Sequence, residues 1–381
     1  MMSKGDKETS VLTSGIEDFS RKGRIDRKGW KRVRLGEVCE ITTGKKDVNS
    51  ESPNGAFPFF TCSRKVHRSN SYSFDCEAIL IAGNGDVGTL HYFNGKFEAY
   101  QRTYVLSNFK IDVHYCLEYL SSKLIPTLSA NSLGSTIPYI LLDQLKTFQI
   151  QIPLNALEQQ RIANSIEKFD TYITTIESLI SKYEAIKKST VNLLLEPKND
   201  WKEILLGDIG DVLMCKRILK NQTTMTGDVP FYKIGTFGKI PDSFISRALF
   251  DDFKQRFAYP QKGDVLLSAA GTIGRTVVFN GEDAYFQDSN IVWIDNDESL
   301  VINSFLYVLY SQMDWQTENG GTVSRLYNSN IRNTRITIPS LKEQKRIVAI
   351  LDSIDGTIGN LKSQLVKTQN IKEGMMTYFF G

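Results

Sequence analysis

The sequence predicts an α+β protein in which two similar, sheet-rich units are each followed by a long helix. One observation is a heptad seam between Leu157 and Leu195 that occurs again 185 residues later, with eight of ten positions apolar in both copies or identical. The first copy of the seam consists of Ile162, Ile166, Phe169, Ile173, Ile176, Ile180, Tyr183, Lys187, Thr190 and Leu194. The segments before the two helices repeat as well. Because this period is longer than that of a solenoid repeat, a whole-domain duplication is predicted.

The chain divides in order into a tail, two globular units and two helices that bury their apolar stripes on each other. The predicted parts are a polar N-terminal tail (1–29), the first unit (30–153), a central spacer helix (154–198), the second unit (199–339) and a C-terminal spacer helix (340–381). The two units open with similar sequences, WKRVRLGEV and WKEILLGDI. The second unit has about fifteen additional residues between its opening and its middle.

Within each unit, most local signals are those of strands. The predicted strands are Ala78–Ala82, Phe148–Ile152, Asp264–Leu267 and Arg335–Ile338. The dipeptides Asn94-Gly95 and Asn280-Gly281 lie between apolar stretches and predict hairpin turns. Helical periodicity predicts helices over Val113–Leu124 and Leu300–Met313.

Composition limits the functional classes. Of the 381 residues, 41% are hydrophobic and 23% are charged, as in ordinary globular proteins. The five cysteines include no C-x-x-C pair, which favours a reducing, cytoplasmic setting. No apolar run has membrane-spanning length, so no membrane partner is expected. Residues 30–153 carry 13 basic and 11 acidic side chains, and residues 201–339 carry 14 basic and 16 acidic side chains. Nucleic-acid binding would therefore need local clusters or a basic partner.

Two motifs leave an enzymatic alternative open. Gly83–Gly88 reads G-x-G-x-x-G after a strand, as in nucleotide-dependent enzymes, but a dinucleotide fold needs a helix next and the sequence continues as a strand. The favoured interpretation is a tight turn with positive φ angles. Asp242, Asp252 and Lys254 resemble the acidic and basic residues of a magnesium-dependent nuclease, although the first unit has no counterpart. No metal-ligand spacing and no phosphate-binding loop is found in the sequence.

Polar loop residues in equivalent places of both units are candidates for DNA contact. Basic side chains, amides and hydroxyls can donate to phosphates, and Arg, Asn or Gln can also read base edges. The candidates are Lys45, Lys46, Arg64, Lys65, Arg68, Asn84, Gln101, Arg102, Ser135, Thr136, Lys216, Arg217, Lys233, Arg275, Gln287, Thr322, Ser324 and Arg325. Each of these loops is equally compatible with a solvated surface that binds nothing.

The repeated layout resembles the DNA-specificity subunit of type I restriction-modification enzymes over residues 30–380. The resemblance rests on the W-K-x-x-x-L-G openings, the VLLSAAGTIG turn at Val265, the I-x-I-P…E-Q-x-R-I runs after Phe148 and at Ile336, and the I-K pairs at Ile186 and Ile371. All of them except the turn at Val265, which is looser in the first unit, occur twice and in the same order.

The resemblance implies that each unit is a target recognition domain for one half of a split, asymmetric sequence in double-stranded DNA. It also implies that the long helices pair as an antiparallel coiled coil, which fixes the distance between the half-sites. The expected partners are two modification (methyltransferase) subunits, which hold S-adenosylmethionine, and two restriction (motor-nuclease) subunits, which use ATP and magnesium. This chain would then hold no cofactor and catalyse nothing. A purely structural coiled-coil adaptor would leave the two diverged units unexplained.

Overall fold

The computed structural model describes residues 27–130, 139–313, 315 and 325–381. The chain forms two compact units. Unit 1 contains the residues up to Ser178 together with Lys362–Gly381, and unit 2 contains Leu179–Leu361. Each unit therefore combines one globular part with segments of both long helices. Within the described residues, no helix combines the length and the apolar composition needed to cross a bilayer.

Unit 1 is built on a six-stranded sheet and a separate strand pair. Its strands are β1 (Trp30–Arg34), β2 (Glu40–Thr43), β3 (Phe57–Phe60), β4 (His67–Ser69), β5 (Phe74–Ala82), β6 (Leu90–Ala99), β7 (Thr103–Ser107) and β8 (Gln149–Pro153). Besides segments of the two long helices, it contains α1 (Leu35–Val38), α2 (Val113–Ala130) and α3 (Leu142–Thr147). The sheet order is β2-β7-β5-β6-β3-β4, and β1 pairs with β8. The end of β5, Ala78–Ala82, is at most 2% exposed and forms the centre of the sheet.

The long helices are α4 (Ala156–Leu194) and α8 (Leu341–Phe380). In unit 1, the early part of α4 and the last turns of α8 contribute to one core, in which Phe169 and Phe379 are both buried. In unit 2, the last turns of α4 and the early part of α8 do the same, through Val191 and Ile347. The beginning of one helix and the end of the other thus share a core in each unit, as antiparallel packing requires.

Unit 2 has a similar plan with shorter strands. They are β9 (Lys202–Leu205), β10 (Val212–Leu213), β11 (Val229–Tyr232), β12 (Phe244–Ile245), β13 (Val265–Ser268), β14 (Thr276–Val278), β15 (Tyr285–Phe286), β16 (Ile291–Ile294) and β17 (Arg335–Ile338). The helices are α5 (Arg247–Arg256), α6 (Asn303–Gln312) and α7 (Asn328–Arg332). The sheet orders are β10-β16-β13-β14 and β12-β11-β15, with β17 paired to β9. The α+β prediction is confirmed.

The two predicted hairpin turns are wrong. Asn94 and Gly95 lie inside β6, opposite Glu77 and Cys76 of β5. Pairing along the whole of β5 keeps β6 continuous, and Gly95 adopts a φ of 128° within it. In unit 2, the loop with Asn280-Gly281 joins β14 and β15, which belong to different sheets. In unit 1, long-range strand pairing therefore overrode the local turn signal. In unit 2, Gly281 keeps a positive φ of 88°, but its loop does not close a hairpin.

The same ion pair occurs between the long helices in both units. In unit 1, Lys372 Nζ binds the carboxylate of Asp170. In unit 2, Lys187 Nζ lies 2.6 Å from Asp355 Oδ1. The 185-residue offset relates Asp170 to Asp355 and Lys187 to Lys372, so the partners exchange helices. Such partly exposed pairs add little stability, but they mark one register between the two helices.

A buried glutamine ties each long helix to its globular part, and we call this arrangement the glutamine clamp. In unit 1, the side chain of Gln159 donates to Pro153 O at 2.7 Å and accepts from Asp112 N at 2.9 Å. The equivalent Gln344 is fully buried in unit 2. It donates to Leu300 O at 2.8 Å and Pro339 O at 3.0 Å and accepts from Ile302 N at 2.9 Å. In each unit, the clamp therefore joins the first turns of a long helix to the end of the preceding strand and to the segment before α2 or α6.

Replacing Gln344 with leucine is expected to lower the free energy of unfolding by about 3 kcal/mol. The substitution leaves the main-chain amide of Ile302 and the carbonyls of Leu300 and Pro339 without their partner. Each such group costs about 1–3 kcal/mol when it is buried and left unpaired. Thermal denaturation of the full chain provides the measurement. The matched control is Gln364→Leu, at an exposed position of α8. Equal stability of the two variants would contradict the clamp.

Candidate nucleic-acid interface

Four loops of unit 1 meet at one end of the six-stranded sheet, next to β2, β3, β5 and β7. We call them loop cluster 1, which comprises residues 44–47, 61–66, 83–88 and 100–102. Gln101 N donates to Lys46 O at 3.0 Å, and Asp86 N donates to Cys62 O at 3.1 Å. A further bond, from Gly83 N to the carbonyl of residue 102 at 3.0 Å, joins the third loop to the fourth. Main-chain bonds thus hold the four loops as one surface.

Loop cluster 1 is locally basic although unit 1 as a whole is not. Its five cationic side chains are Lys45, Lys46, Arg64, Lys65 and Arg102, and its two carboxylates are Asp47 and Asp86. Both carboxylates accept from main-chain amides, those of Asn49 at 3.0 Å and Arg64 at 3.2 Å. Among the described residues, none of the five cationic side chains has a hydrogen-bond or ion-pair partner. They are available to bind anions.

The glycine-rich segment forms the predicted tight turn. Gly85 and Gly88 have φ angles of 64° and 78°, and the equivalent Gly271 and Gly274 have 65° and 83°. A Cβ atom on Gly88 would lie 2.0 Å from Ile125 Cδ1, so any other residue there would also displace the Ile125 side chain. Strand β6 follows the turn. The helix N-terminus that a dinucleotide fold places at this point is replaced by a strand.

The equivalent loops of unit 2 form loop cluster 2, which comprises residues 214–218, 233–239, 269–275 and 287–290. It also carries five basic side chains, namely Lys216, Arg217, Lys233, Lys239 and Arg275, and one carboxylate, Asp288. Gln287 links two of its loops. Its main-chain N donates to Tyr232 O at 3.0 Å, and its side-chain Oε1 accepts from Ile234 N at 2.9 Å.

Most basic side chains of loop cluster 2 have internal partners, unlike those of loop cluster 1. Lys233 Nζ lies 2.8 Å from Asp242, and Arg217 Nε lies 3.5 Å from Asp288. The guanidinium of Arg275 donates to Phe237 O at 2.9 Å. The ammonium of Lys216 lies 5.1 Å from the ring centre of Phe257, and Arg325, beside the cluster, donates to Ser289 O at 2.9 Å. These side chains hold the loops in place as well as supplying charge.

This contrast predicts different effects on stability. Arg275→Ala is expected to lower the free energy of unfolding by about 1–2 kcal/mol, because its guanidinium binds a main-chain carbonyl and joins two loops. Arg64→Ala, at an exposed and unpartnered side chain, should change it by less than about 0.5 kcal/mol. Chemical denaturation of both full-length variants provides the comparison. A larger effect of Arg64→Ala would contradict the assignment.

The three residues of the nuclease alternative belong to separate interactions. Asp242 pairs with Lys233, whereas Asp252 pairs with Arg256 on α5 at 3.0 Å. Lys254 lies 3.2 Å from Asp283. Across the described part of the chain, no group of three or more His, Cys, Asp or Glu side chains is arranged to hold a metal ion. The geometry therefore supplies no reason to place a catalytic metal at these residues.

The structure brings together most but not all of the candidate residues. Asn84, Gln101 and Arg102 join the loop cluster 1 lysines, and Gln287 joins loop cluster 2. Arg68 instead donates to Gly55 O at 2.9 Å and to Ala56 O at 3.0 Å, which stabilises the turn before β3. Ser135, Thr136, Thr322 and Ser324 lie outside the described residues.

Sequence reasoning missed Lys220, Met225 and Lys239. Lys220 and Met225 line a cavity of about 550 Å³ next to loop cluster 2. The cavity also contacts Arg217, Lys233 and Gln287. No sequence signal marked Lys220 and Met225, because both lie at exposed positions of the loop between β10 and β11.

Comparison with known proteins identifies the family of this chain. Residues 27–187 and 198–368 each match the family described as type I restriction modification DNA specificity domain. A type I restriction enzyme specificity subunit of Haemophilus influenzae is 41% identical over 345 residues, covering 84% of this chain and 86% of that protein. The EcoDI specificity subunit of Escherichia coli is 41% identical over 157 residues, covering 41% of this chain and 34% of that protein.

Solved structures show the same fold at low sequence identity. The crystal structure of the type I restriction-modification S subunit from M. genitalium superposes with a TM-score of 0.62 at 17% identity, covering 94% of this chain and 97% of that one. A chain from a structure on complex assembly of a type I restriction-modification system superposes with a TM-score of 0.53 at 18% identity, covering 92% of this chain and 96% of that one. With two family matches over most of the chain and a close relative along most of its length, this protein belongs to the type I restriction-modification DNA-specificity family and is a specificity subunit rather than an enzyme.

Proposed function

We propose that the chain reads a two-part, asymmetric site in double-stranded DNA, with one half-site contacted by each loop cluster. The observation that carries the proposal is that loop clusters 1 and 2 occupy equivalent positions in a duplicated domain, and each has five basic side chains. Cationic loops supply phosphate contacts, and the Arg, Asn and Gln side chains among them can read bases. Because the clusters differ in sequence, the half-sites should differ too.

The partners we propose are two modification subunits, which would bind S-adenosylmethionine, and two restriction subunits, which would use ATP and magnesium. Outside the loop clusters, residues 30–153 carry 8 basic and 9 acidic side chains, and residues 201–339 carry 9 basic and 15 acidic side chains. This absence of further positive charge supports the proposal, because partner subunits would then supply part of the phosphate contact. The relatives' names as restriction enzyme specificity subunits support it further. No cofactor is proposed for this chain, and the cytoplasm is the proposed compartment, since the DNA lies there.

The test is selection of binding sites from random duplex DNA by the full chain assembled with its modification subunits. The expected result is two short, different sequences separated by a constant gap. Selection of one continuous sequence, or of none, would count against the proposal. A parallel incubation of the chain alone with DNA and magnesium tests the enzymatic alternative, which predicts cleavage of the DNA strands.

A further inference from the structure

The cavity beside loop cluster 2 has the chemistry of a base-pair reader. Its volume is about 550 Å³, and cationic, anionic and apolar side chains line it. Lys233 and Asp242 form an ion pair on one part of the lining, and Arg217 and Asp288 form another. Donors and acceptors are therefore both present, and each is held in place by its partner.

Met225 supplies an apolar group on the lining of this cavity. Its side chain is 80% exposed, so the thioether is accessible to a ligand in the cavity. The turn that carries it is firmly built. Thr224 N donates to Phe244 O and Phe244 N donates to Thr224 O, both at 2.9 Å, and the Thr224 hydroxyl donates to Thr226 O at 2.7 Å. The methionine is thus held outward by a rigid turn.

We propose that this cavity reads an A·T base pair, with Met225 in contact with the C5-methyl group of thymine. The inference rests on the proposed DNA-reading function. In the major groove, an A·T pair presents one donor (the adenine amine), two acceptors (adenine N7 and thymine O4) and the thymine methyl, which is the only apolar group on any base edge there. A cation, a carboxylate and a thioether on one cavity match that set.

The segment that carries Met225, between β10 and β11, has a counterpart in unit 1 between β2 and β3. Ser52 N donates to Arg68 O at 2.9 Å there, as Thr224 N donates to Phe244 O at 2.9 Å in unit 2. Residues 44–56 of unit 1 contain no methionine, so we expect the thymine contact in the half-site read by unit 2 and not in the other.

The test replaces each thymine of the unit 2 half-site in turn with uracil, which lacks the methyl group. With the full chain and its modification subunits, one such replacement should weaken binding about fourfold, the value expected for one buried methyl group. Met225→Ala should bind thymine and uracil at that position equally well. Ile240→Ala, at an 87% exposed side chain that is not on the cavity lining, is the matched control and should keep the preference.

Three results would overturn the inference. They are a unit 2 half-site without an A·T pair, indifference to uracil at every thymine, and a methyl preference that persists in Met225→Ala. All three can occur while the complex still selects a two-part site, so they are distinct from failure of the proposed function, in which no two-part site is selected.

Discussion

Alanine at Lys45, Lys46, Arg64 and Lys65 together is expected to weaken DNA binding about a thousandfold, at roughly 1 kcal/mol for each lost contact. These side chains have no partners in the described part of the protein, so their loss should remove phosphate contacts and leave the fold intact. If all four bind phosphates, the slope of log K against log salt should fall by about 3.6. Equilibrium binding to the selected site over a range of salt concentrations gives both quantities.

The matched control removes the same charge from elsewhere in unit 1. Lys31, Arg32, Arg34 and Lys146 are exposed and lie outside loop cluster 1. Their replacement by alanine should leave the salt dependence nearly unchanged. If the two sets of substitutions weakened binding equally, loop cluster 1 would act only through net charge, and its assignment as a reading surface would be wrong.

Deleting seven residues from one long helix is expected to abolish recognition of the two-part site, whereas deleting the equivalent seven from both should restore it with a shorter gap. The ion-paired residues are 17 positions apart on both helices, from Asp170 to Lys187 and from Asp355 to Lys372. Removing residues 172–178 alone makes the spacing between the ion-paired residues shorter on one helix than on the other. Removing residues 357–363 as well makes the two spacings equal again and also preserves the heptad register.

The expected change in the gap follows from helix geometry. Seven residues are nearly two turns and about 10 Å of helix, which corresponds to about three base pairs at 3.4 Å each. Site selection with the doubly deleted chain and its modification subunits measures the gap. An unchanged gap would mean that the helices do not set the spacing, and recovery by the single deletion would mean that their register is irrelevant.

The sequence alone predicted the duplication, the long helices and the buried strands, because each depends on local periodicity. The run Ala78–Ala82 is apolar throughout and forms a central strand. The repeated Ile162 and Ile347 begin apolar seams that are buried. The glycine turn at Gly85 was also predictable, since a short G-x-G segment between strands requires positive φ angles.

Features that depend on distant partners were not predictable. Whether Asn94-Gly95 forms a turn depends on β5, whose pairing extends β6 through the dipeptide. Gln344 reads as a polar residue in the first turn of a helix, and only the fold shows that it lies buried among the carbonyls of Leu300 and Pro339. Arg68 and Arg64 have the same charge and lie four positions apart. Arg68 stabilises a turn, whereas the Arg64 side chain has no partner among the described residues.

The end of the chain completes the core of unit 1. The ring of Phe380 lies 5.6 Å from that of Tyr115 and 5.2 Å from that of Tyr119, measured between ring centres, and Met375 and Phe379 are buried in the same core. Because these residues follow the whole of unit 2 in the chain, unit 1 can complete its core only after unit 2 has been synthesised. A polypeptide that stops before α8 would lack these aromatic residues, and its first unit would have an incomplete core.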